Sequence, residues 1–498
     1  MRFPDPTLLW AMWIVSAVVW LGLSVLVYRR WKLPQKPAPW VILGVAAAVR
    51  IGFALFVPVS LSDDVWRYLH DGQTLAAGGN PYAVAPSEEI QRREAEGTIE
   101  DAVWLKMINN PELVTIYQPT SQWFFAGVTT VYYAVTMGDG GVWGMLRAYR
   151  LAFSLVDLLI VLLLMRQLKH LGRSAWWAVM YAWSPLVIAE TSWNAHQDGT
   201  GVAAMLGALL LAQAGTRVDE GWRSTAKLMG AGAMLALAAA VKPIVLPLAL
   251  LMAWKVKSEF GGGAGRGLWS SLIRGRGWGR VLAAAGACVT TLLALYLPFM
   301  FMDGGLNGMF ETSRQFVERW RFNGTLHHLM EIGVANVLTG GEAWEVAARA
   351  KWIADAVAGV LLMSILVAAM AFHRVPWRAA TTYFFAMVCL SSTVHPWYLL
   401  WAMALLPVAW SSGRTFVGPA VWVASLTLPW SYWAWINYID GGPGGADAFD
   451  GRYAIGVGLT LVVWLPVYAA LGWGVWTTLR REAADRRGDT SRIPGGRG

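Results

Sequence analysis

Charge is scarce in this chain. Only 14% of the 498 residues are Asp, Glu, Lys or Arg, 56% are hydrophobic, and the mean hydropathy is +0.45. That balance excludes an ordinary soluble enzyme, and the many long apolar runs point to a polytopic membrane protein. Cysteine is scarcer still. Cys288 and Cys389 both lie inside apolar runs and read as small hydrophobes, so there is no disulfide framework. Internal repeats and low-complexity domains are lacking too, which excludes solenoids and arrays. A formal charge of +9 could suggest a nucleic-acid partner, but the Lys and Arg residues sit in short clusters between apolar runs. That is a topology pattern, and no nucleic acid is expected. The first apolar run is long and follows Asp5 and a single arginine, so it reads as a retained span, not a cleaved signal.

What is abundant is apolar sequence in pieces long enough to cross hydrocarbon, about 20 residues each. They fall at 8–28, 40–58, 146–168, 175–191, 199–214, 227–241, 243–256, 281–301, 352–372, 379–394, 397–411, 415–435 and 453–479. Basic clusters follow the first run (Arg29, Arg30, Lys32, Lys36) and the 146–168 run (Arg166, Lys169, Arg173), which places both loops in the cytoplasm. The segment 59–145 then lies outside, and it carries eleven acids against four bases. Parity makes the marginal stretch Ser121–Met137 an interfacial helix along the membrane surface. About 13 transmembrane helices remain, with the N-terminus outside and the C-terminus inside. The expectation is an all-α polytopic membrane protein with one transmembrane domain over 1–479. It has a large external loop at 59–145, a second at 302–351, and a basic, disordered tail at 480–498. Gly261–Gly279 reads as a flexible cytoplasmic connector.

Polar residues gather on the outer side, where hiding ionisable groups calls for a reason. Ser62-Asp63-Asp64-Val65-Trp66-Arg67-Tyr68-Leu69-His70-Asp71-Gly72 puts three carboxylates and an arginine directly after an apolar run. On a helix, Asp64, Tyr68 and Asp71 share a face. The same residues also suit a solvated, acidic helix start. Tyr117-Gln118-Pro119 returns the loop to the membrane, or simply starts a helix at proline. His196 and Asp198 stand two apart in an outer turn, where a short loop brings both to a cleft. An acidic site can attract a divalent metal, but spacing supplies no third ligand. Lys242 either snorkels to the interface or meets an anion. Arg319, Phe322-Asn323-Gly324-Thr325 and His395-Pro396-Trp397-Tyr398 complete the outer set, with an aromatic belt explaining part of the last and a chance glycosylation sequon at Asn323.

Taken together, Asp63-Asp64 with Arg67-Tyr68, Gly79-Asn80-Pro81-Tyr82, Tyr117-Gln118-Pro119, His196/Asp198, Lys242-Pro243, Phe322-Asn323-Gly324-Thr325 and His395-Pro396-Trp397-Tyr398 resemble the GT-C glycosyltransferases. The nearest resemblance is to bacterial polyprenyl-phosphate-mannose-dependent mannosyltransferases. Two departures stand out: an additional span precedes the acidic loop, and Gln118 occupies a position where such proteins commonly have a second proline. The resemblance implies a GT-C fold in a bacterial inner membrane, with membrane lipids around it. It also implies transfer of a hexose from a polyprenyl-phosphate sugar to a lipid or glycan acceptor on the extracytoplasmic side. Transfer from a phosphate passes through an oxocarbenium-like state, so an inverting enzyme needs one carboxylate base and donors for the departing phosphate, with no cofactor required. Asp64, or else Asp63, is expected as that base. Arg67, Lys242, Arg319 and His395 are the phosphate candidates, and His196, Asp198, Asn323, Trp397 and Tyr117 those for sugar or acceptor. A transporter or flippase of lipid-linked sugars is the rival. It would need polar residues along a mid-membrane path, for which Arg50, Arg150, Asp157 and Asp355 are the candidates.

Overall fold

A computed structural model describes residues 6–29, 38–58, 61–216, 221–260, 277–373, 375–413, 415–432 and 457–486. Among these residues regular structure is entirely helical, with only two isolated bridge pairings joining Phe322 and Asn323 to Thr393. The chain runs α1 (Pro6–Tyr28), α2 (Ala38–Phe56), α3 (Asp64–Ala76), α4 (Pro86–Ala95), α5 (Pro119–Thr136), α6 (Val142–His170), α7 (Asp198–Thr216), α8 (Trp222–Ala239) and α9 (Leu248–Phe260). It continues through α10 (Trp278–Met300), α11 (Asn307–Arg319), α12 (Leu326–Ala335), α13 (Ala343–Phe372), α14 (Pro376–Leu390), α15 (Leu400–Ser411), α16 (Gly418–Thr427) and α17 (Val457–Arg486).

Six of the described helices are long and apolar enough to cross a membrane: α2, α6, α7, α10, α13 and the Leu459–Arg481 part of α17. Several other expected spans are not continuous helices. The run at 175–191 breaks at Ser184-Pro185 into single helical turns and ends in a π-turn, Ala189–Trp193. The runs starting at Pro243 and near Pro396 each open as a short 3-10 turn, and the preceding residue, Lys242 or His395, is extended, as a residue before proline prefers. Ser121–Met137 forms α5 and does not join the six. α17 continues past position 480 to Arg486, while the glycine-rich connector at 261–276 and the tail from 487 lie outside the described residues.

The core is organised around α6 and α15. All twelve residues of α15 are buried, as expected of a helix that is apolar on every side. α6, 29 residues long, packs against α2, α3, α5, α7 and α15. A second, smaller core lies under the acidic segment, where Val65, Trp66, Tyr68 and Leu69 of α3 meet Leu105, Phe125, Tyr149 and Phe153. Gly72 allows this approach: a Cβ there would fall 2.0 Å from the Tyr149 hydroxyl. α3 is thus held from below, and its first turn is aimed by packing.

The charges inside the bundle are matched to one another. Arg50 Nε donates to Asp157 Oδ2 at 2.5 Å, Tyr181 donates to the other carboxylate oxygen, and both partners are fully buried. Arg150 closes the end of α2 by donating to the carbonyls of Phe53 and Val57, and it also reaches Ser192 O. Asp355 binds Lys351 and His327. These four residues therefore have local partners and do not line a shared path. Removing one partner of a buried pair leaves an uncompensated charge, which costs about 3–5 kcal/mol, whereas an apolar pair of similar volume is close to neutral. Asp157→Ala should therefore lower the thermal midpoint in detergent markedly, and the double variant Arg50→Leu/Asp157→Leu should recover much of the loss.

Candidate active site

The head of α3 carries two adjacent carboxylates that do not cap it. Asp63 makes no side-chain capping bond; instead Ser62 Oγ accepts from the Asp64 N–H at 3.3 Å. Both carboxylates turn to Asn109, whose Nδ2 donates to Asp63 Oδ1 at 2.7 Å and to Asp64 Oδ1 at 3.0 Å. Arg67, one turn on, fixes the segment that supplies this amide, donating to the carbonyls of Asn109, Asn110 and Leu113 at 2.7–2.8 Å. The guanidinium expected to hold a donor phosphate is thereby committed to loop carbonyls. Its function in the structure is to hold Asn109 in place.

Behind Asp64 stands His196. Its Nδ1 lies 3.5 Å from Asp64 Oδ2 and its Nε2 3.3 Å from Glu190 Oε2. Local backbone geometry puts it there. The π-turn Ala189–Trp193 ends with Ala195 at φ 60°, the left-handed region that alanine enters only at a cost, and the His196 N–H donates back to Glu190 O at 2.8 Å. Burial works to raise the Asp64 carboxyl, but the facing His196 and the Asn109 amide outweigh it and hold the pKa down at about 2. Burial and the neighbouring Asp64 charge push Asp63 up to about 7. Below about pH 7 the pair thus carries one charge, on Asp64, and Asp63 holds its proton.

The His196 ring begins a column of four. It stacks on Trp397 at 3.7 Å between centroids, Trp397 on His395 at 4.2 Å, and His395 on Phe322 at 4.7 Å. Burial drives the His395 imidazole down to about 3, so it stands neutral and offers a hydrogen bond, not a charge. Two short backbone bonds lock the far end of the column, Phe322 N–H to Ser392 O at 3.1 Å and Val394 N–H to Phe322 O at 2.7 Å. Asn323, at φ 54°, is clamped by the Trp464 indole, which donates to both its backbone and side-chain oxygens, so the sequon is buried and occupied. Its Nδ2 remains buried without a partner.

Lys242 turns inward. Its Nζ donates to Asp198 Oδ1 at 2.6 Å and lies 4.0 Å from the centre of the Tyr398 ring, while Trp401 Nε1 donates to the same Asp198 oxygen at 2.9 Å. Tyr117 packs edge-on against Tyr68 at 4.8 Å, and its carbonyl accepts from Tyr82. Thr120 N–H donates to Ala240 O, tying the start of α5 to the Lys242 turn, and Gln118 Oε1 accepts from Tyr296 of α10. Asp71 stands apart from this group, accepting from Gln122.

Asp63, Asp64, His196, Asp198, Lys242, His395, Trp397 and, through Phe322, Asn323 thus form one connected cluster. They sit at the first turns of α3 and α7, just beyond α8, between α11 and α12, and between α14 and α15. Arg319 shares none of these contacts and is exposed at the end of α11. Residues that did not stand out in the sequence as site residues are Asn109, Glu190, Tyr432, Trp401 and Trp464. Asn109 reaches Asp63 across 46 positions and Tyr432 reaches Glu190 across 242, so local pattern carried no trace of either contact. Glu190 alone had a signal, as a carboxylate six residues before His196 at the end of an apolar run.

A one-sided acidic cluster of this kind fits a family assignment made independently of it. The family model described as alpha-(1->6)-mannopyranosyltransferase, N-terminal domain, matches residues 6–257, half of the chain. The chain belongs to this mannosyltransferase family. Six apolar helices make it an integral membrane member of that family. The matched half contains Asp63, Asp64, Asn109, Glu190, His196, Asp198 and Lys242, whereas the His395–Trp397 part of the column lies beyond it. No curated protein matches the sequence. Among solved structures, the apo form of the Archaeoglobus fulgidus oligosaccharyltransferase aligns with a TM-score of 0.36 and 12% identity, over 88% of this chain and 56% of that one. The mannosyltransferase chain thus spans little more than half the length of that protein.

Gly324 is the tightest point between the two halves of this site. A Cβ there would lie 2.6 Å from Ser391 O and 2.7 Å from Ser392 O, and both are main-chain atoms that cannot swing away. Gly324→Val should displace the segment carrying His395, reducing kcat at least tenfold. Overpacking of this kind also costs about 1–3 kcal/mol, which thermal unfolding would register.

Proposed function

We propose that this mannosyltransferase family member transfers mannose from a polyprenyl-phosphate carrier to a lipid or glycan acceptor on the extracytoplasmic side, by inversion, with Asp64 as general base. The observation that carries the reading is the ionised Asp64 at the head of α3, held between the Asn109 amide and His196, beside a cation and a neutral imidazole at the same end of the bundle. The acidic external segment and the basic clusters on the opposite loops support the sidedness.

The reaction requires little else. The acceptor hydroxyl oxygen forms a bond to the sugar C1 as the bond from C1 to the phosphate oxygen breaks, and the hydroxyl proton passes to Asp64. The electron pair of the broken bond leaves with the phosphate. Lys242, with donors beyond the one given to Asp198, and the His395 imidazole are the groups proposed to meet it; Arg67 and Arg319 are not. The ring column offers an apolar face to the sugar, and Asn323 Nδ2 a free donor to a hydroxyl. Inversion to an α-linkage requires a donor whose mannose is β-linked to phosphate. The chemistry as proposed needs no metal.

Radiolabelled polyprenyl-phosphate mannose and purified protein in detergent test this reading. Asp64→Asn should lose about 10²–10⁴ in kcat, the usual contribution of a general base, while donor binding persists; near-normal turnover would sink the assignment. Asp63→Asn separates the two carboxylates. In the wild type, Asp63 ionises as pH rises through about 7 and adds a second negative charge beside the departing phosphate, so kcat/KM should fall above that pH. Asp63→Asn should keep activity and lose that alkaline fall. If Asp63→Asn is inactive while Asp64→Asn turns over, the base is Asp63.

A further inference from the structure

We propose that a cavity between α6, α7, α9, α14 and α15, at the end of these helices opposite the candidate active site, holds the phosphate head group of an anionic phospholipid. The proposal does not depend on the reading of Asp64 as the base.

The helices fix its place. Asp198 of the candidate site opens α7, and Thr216, at the cavity, closes it. The 19 residues between them span about 27 Å, close to the ~30 Å of a hydrocarbon core. α14 runs the other way: Pro376 and Trp377 line the cavity, and Leu390 ends the helix just before the segment carrying His395. The cavity has a volume of about 320 Å³, within the range of small-ligand pockets. Its polar lining is Arg173, Lys255, Gln213, Thr216 and Ser412, and among the described residues no carboxylate lines it.

Local structure aims these groups. α6 ends in a Schellman turn: Gly172 stands at φ 64°, its N–H donates to Lys169 O, and the Arg173 N–H reaches back to Leu168 O. That turn brings Arg173 round to the cavity. Arg378, close enough to Arg173 for the two charges to repel, is committed to the carbonyls of Ala409 and Ser412 at the end of α15. Gln213 carries the strongest signal. Its Oε1 accepts from Gln167 Nε2 at 2.8 Å and from the Trp377 indole at 3.2 Å. An indole nitrogen only donates, so the orientation of the amide is fixed. Nε2 is left buried without a partner.

Buried donors are almost always satisfied, so an unmatched amide N–H beside a guanidinium and an ammonium calls for an acceptor carrying negative charge. The start of α14 adds the positive end of a helix dipole. A solvated basic cluster would explain Arg173, which is exposed, but not the buried amide. The rest of the lining decides which anion. Leu209, Leu251, Met252 and Trp377 are buried apolar walls, suited to acyl chains and not to a free ion. A basic pocket between helices at the depth of the membrane surface is the usual setting for an anionic lipid head group.

Native mass spectrometry of the full chain in detergent tests this, with dioleoylphosphatidylglycerol, dioleoylphosphatidylcholine or inorganic phosphate added. The wild type should bind phosphatidylglycerol at least tenfold more tightly than phosphatidylcholine. Arg173→Glu should weaken phosphatidylglycerol at least tenfold and Lys255→Gln severalfold. Arg223→Glu, which changes an exposed charge at the start of α8 that does not line the cavity, should leave the affinity within twofold. Unchanged affinity in the cavity variants, or an equal loss in Arg223→Glu, overturns the site. Inorganic phosphate binding as tightly as the lipid, and lost in Arg173→Glu, would assign the cavity to a soluble phosphate and overturn the lipid. If Arg173→Glu does not fold, an unmoved affinity in Lys255→Gln overturns the proposal.

Discussion

The amide of Asn109, donating one hydrogen to each of two adjacent carboxylates, lets Asp63 and Asp64 share the head of one helix. Two acids side by side at a half-buried helix start repel, and desolvation adds to the cost. The amide offsets part of that, and Arg67 makes the amide dependable by tying down the three carbonyls around it. The guanidinium thus works at one remove from the chemistry: it holds the loop, the loop supplies the amide, and the amide holds the pair. The α3 helix itself stands on a small aromatic core that fixes the direction in which the pair points.

The remainder of the site is assembled from distant chain segments by main-chain contacts. Phe322–Thr325 is pinned onto Ser391–Val394 by two backbone bonds and by the absence of a side chain at Gly324, and Trp464 of α17 clamps Asn323 from behind. Asn80 joins the first external segment to the second by donating to Asp303 O and Gly305 O. Glycine-and-asparagine motifs that look like loop punctuation are therefore the fasteners between loops. Their side chains are engaged by the protein, with Asn323 Nδ2 the exception.

That division explains what was legible in the sequence. The class was readable because composition follows from the membrane as solvent. Asp63, Asp64, His196, Asp198, Lys242, His395 and Trp397 were readable because polar residues among apolar ones stand out. Their partners were not, since Asn109, Tyr432, Trp401 and Trp464 lie 45 to 242 positions from the residues they serve. Arg67 and Arg319 stand apart from the cluster for a related reason. Charge suggests an anion, but a guanidinium with five donors satisfies backbone carbonyls equally well, and an exposed helix end accommodates another. The apolar runs broken at Pro185, Pro243 and Pro396 were long enough to count as spans, yet the turns next to these breaks supply Glu190, Lys242 and His395 to the site.

A single carboxylate suffices for the proposed transfer, so the second needs a physical reason. A doubly ionised pair would place two negative charges where, in the proposed transfer, a phosphate departs with its own. Burial of Asp63, reinforced by the charge on Asp64, makes the pair a monoanion below about pH 7, with the charge on the member that faces His196. The protonated Asp63 then acts as a spacer that occupies the Asn109 amide without adding repulsion. The asymmetry comes from position: the two residues share one amide, but only Asp64 has the imidazole of His196, and behind it the carboxylate of Glu190, at its other oxygen. The difference between the two carboxylates thus comes from a ring more than a hundred positions away in the chain, His196.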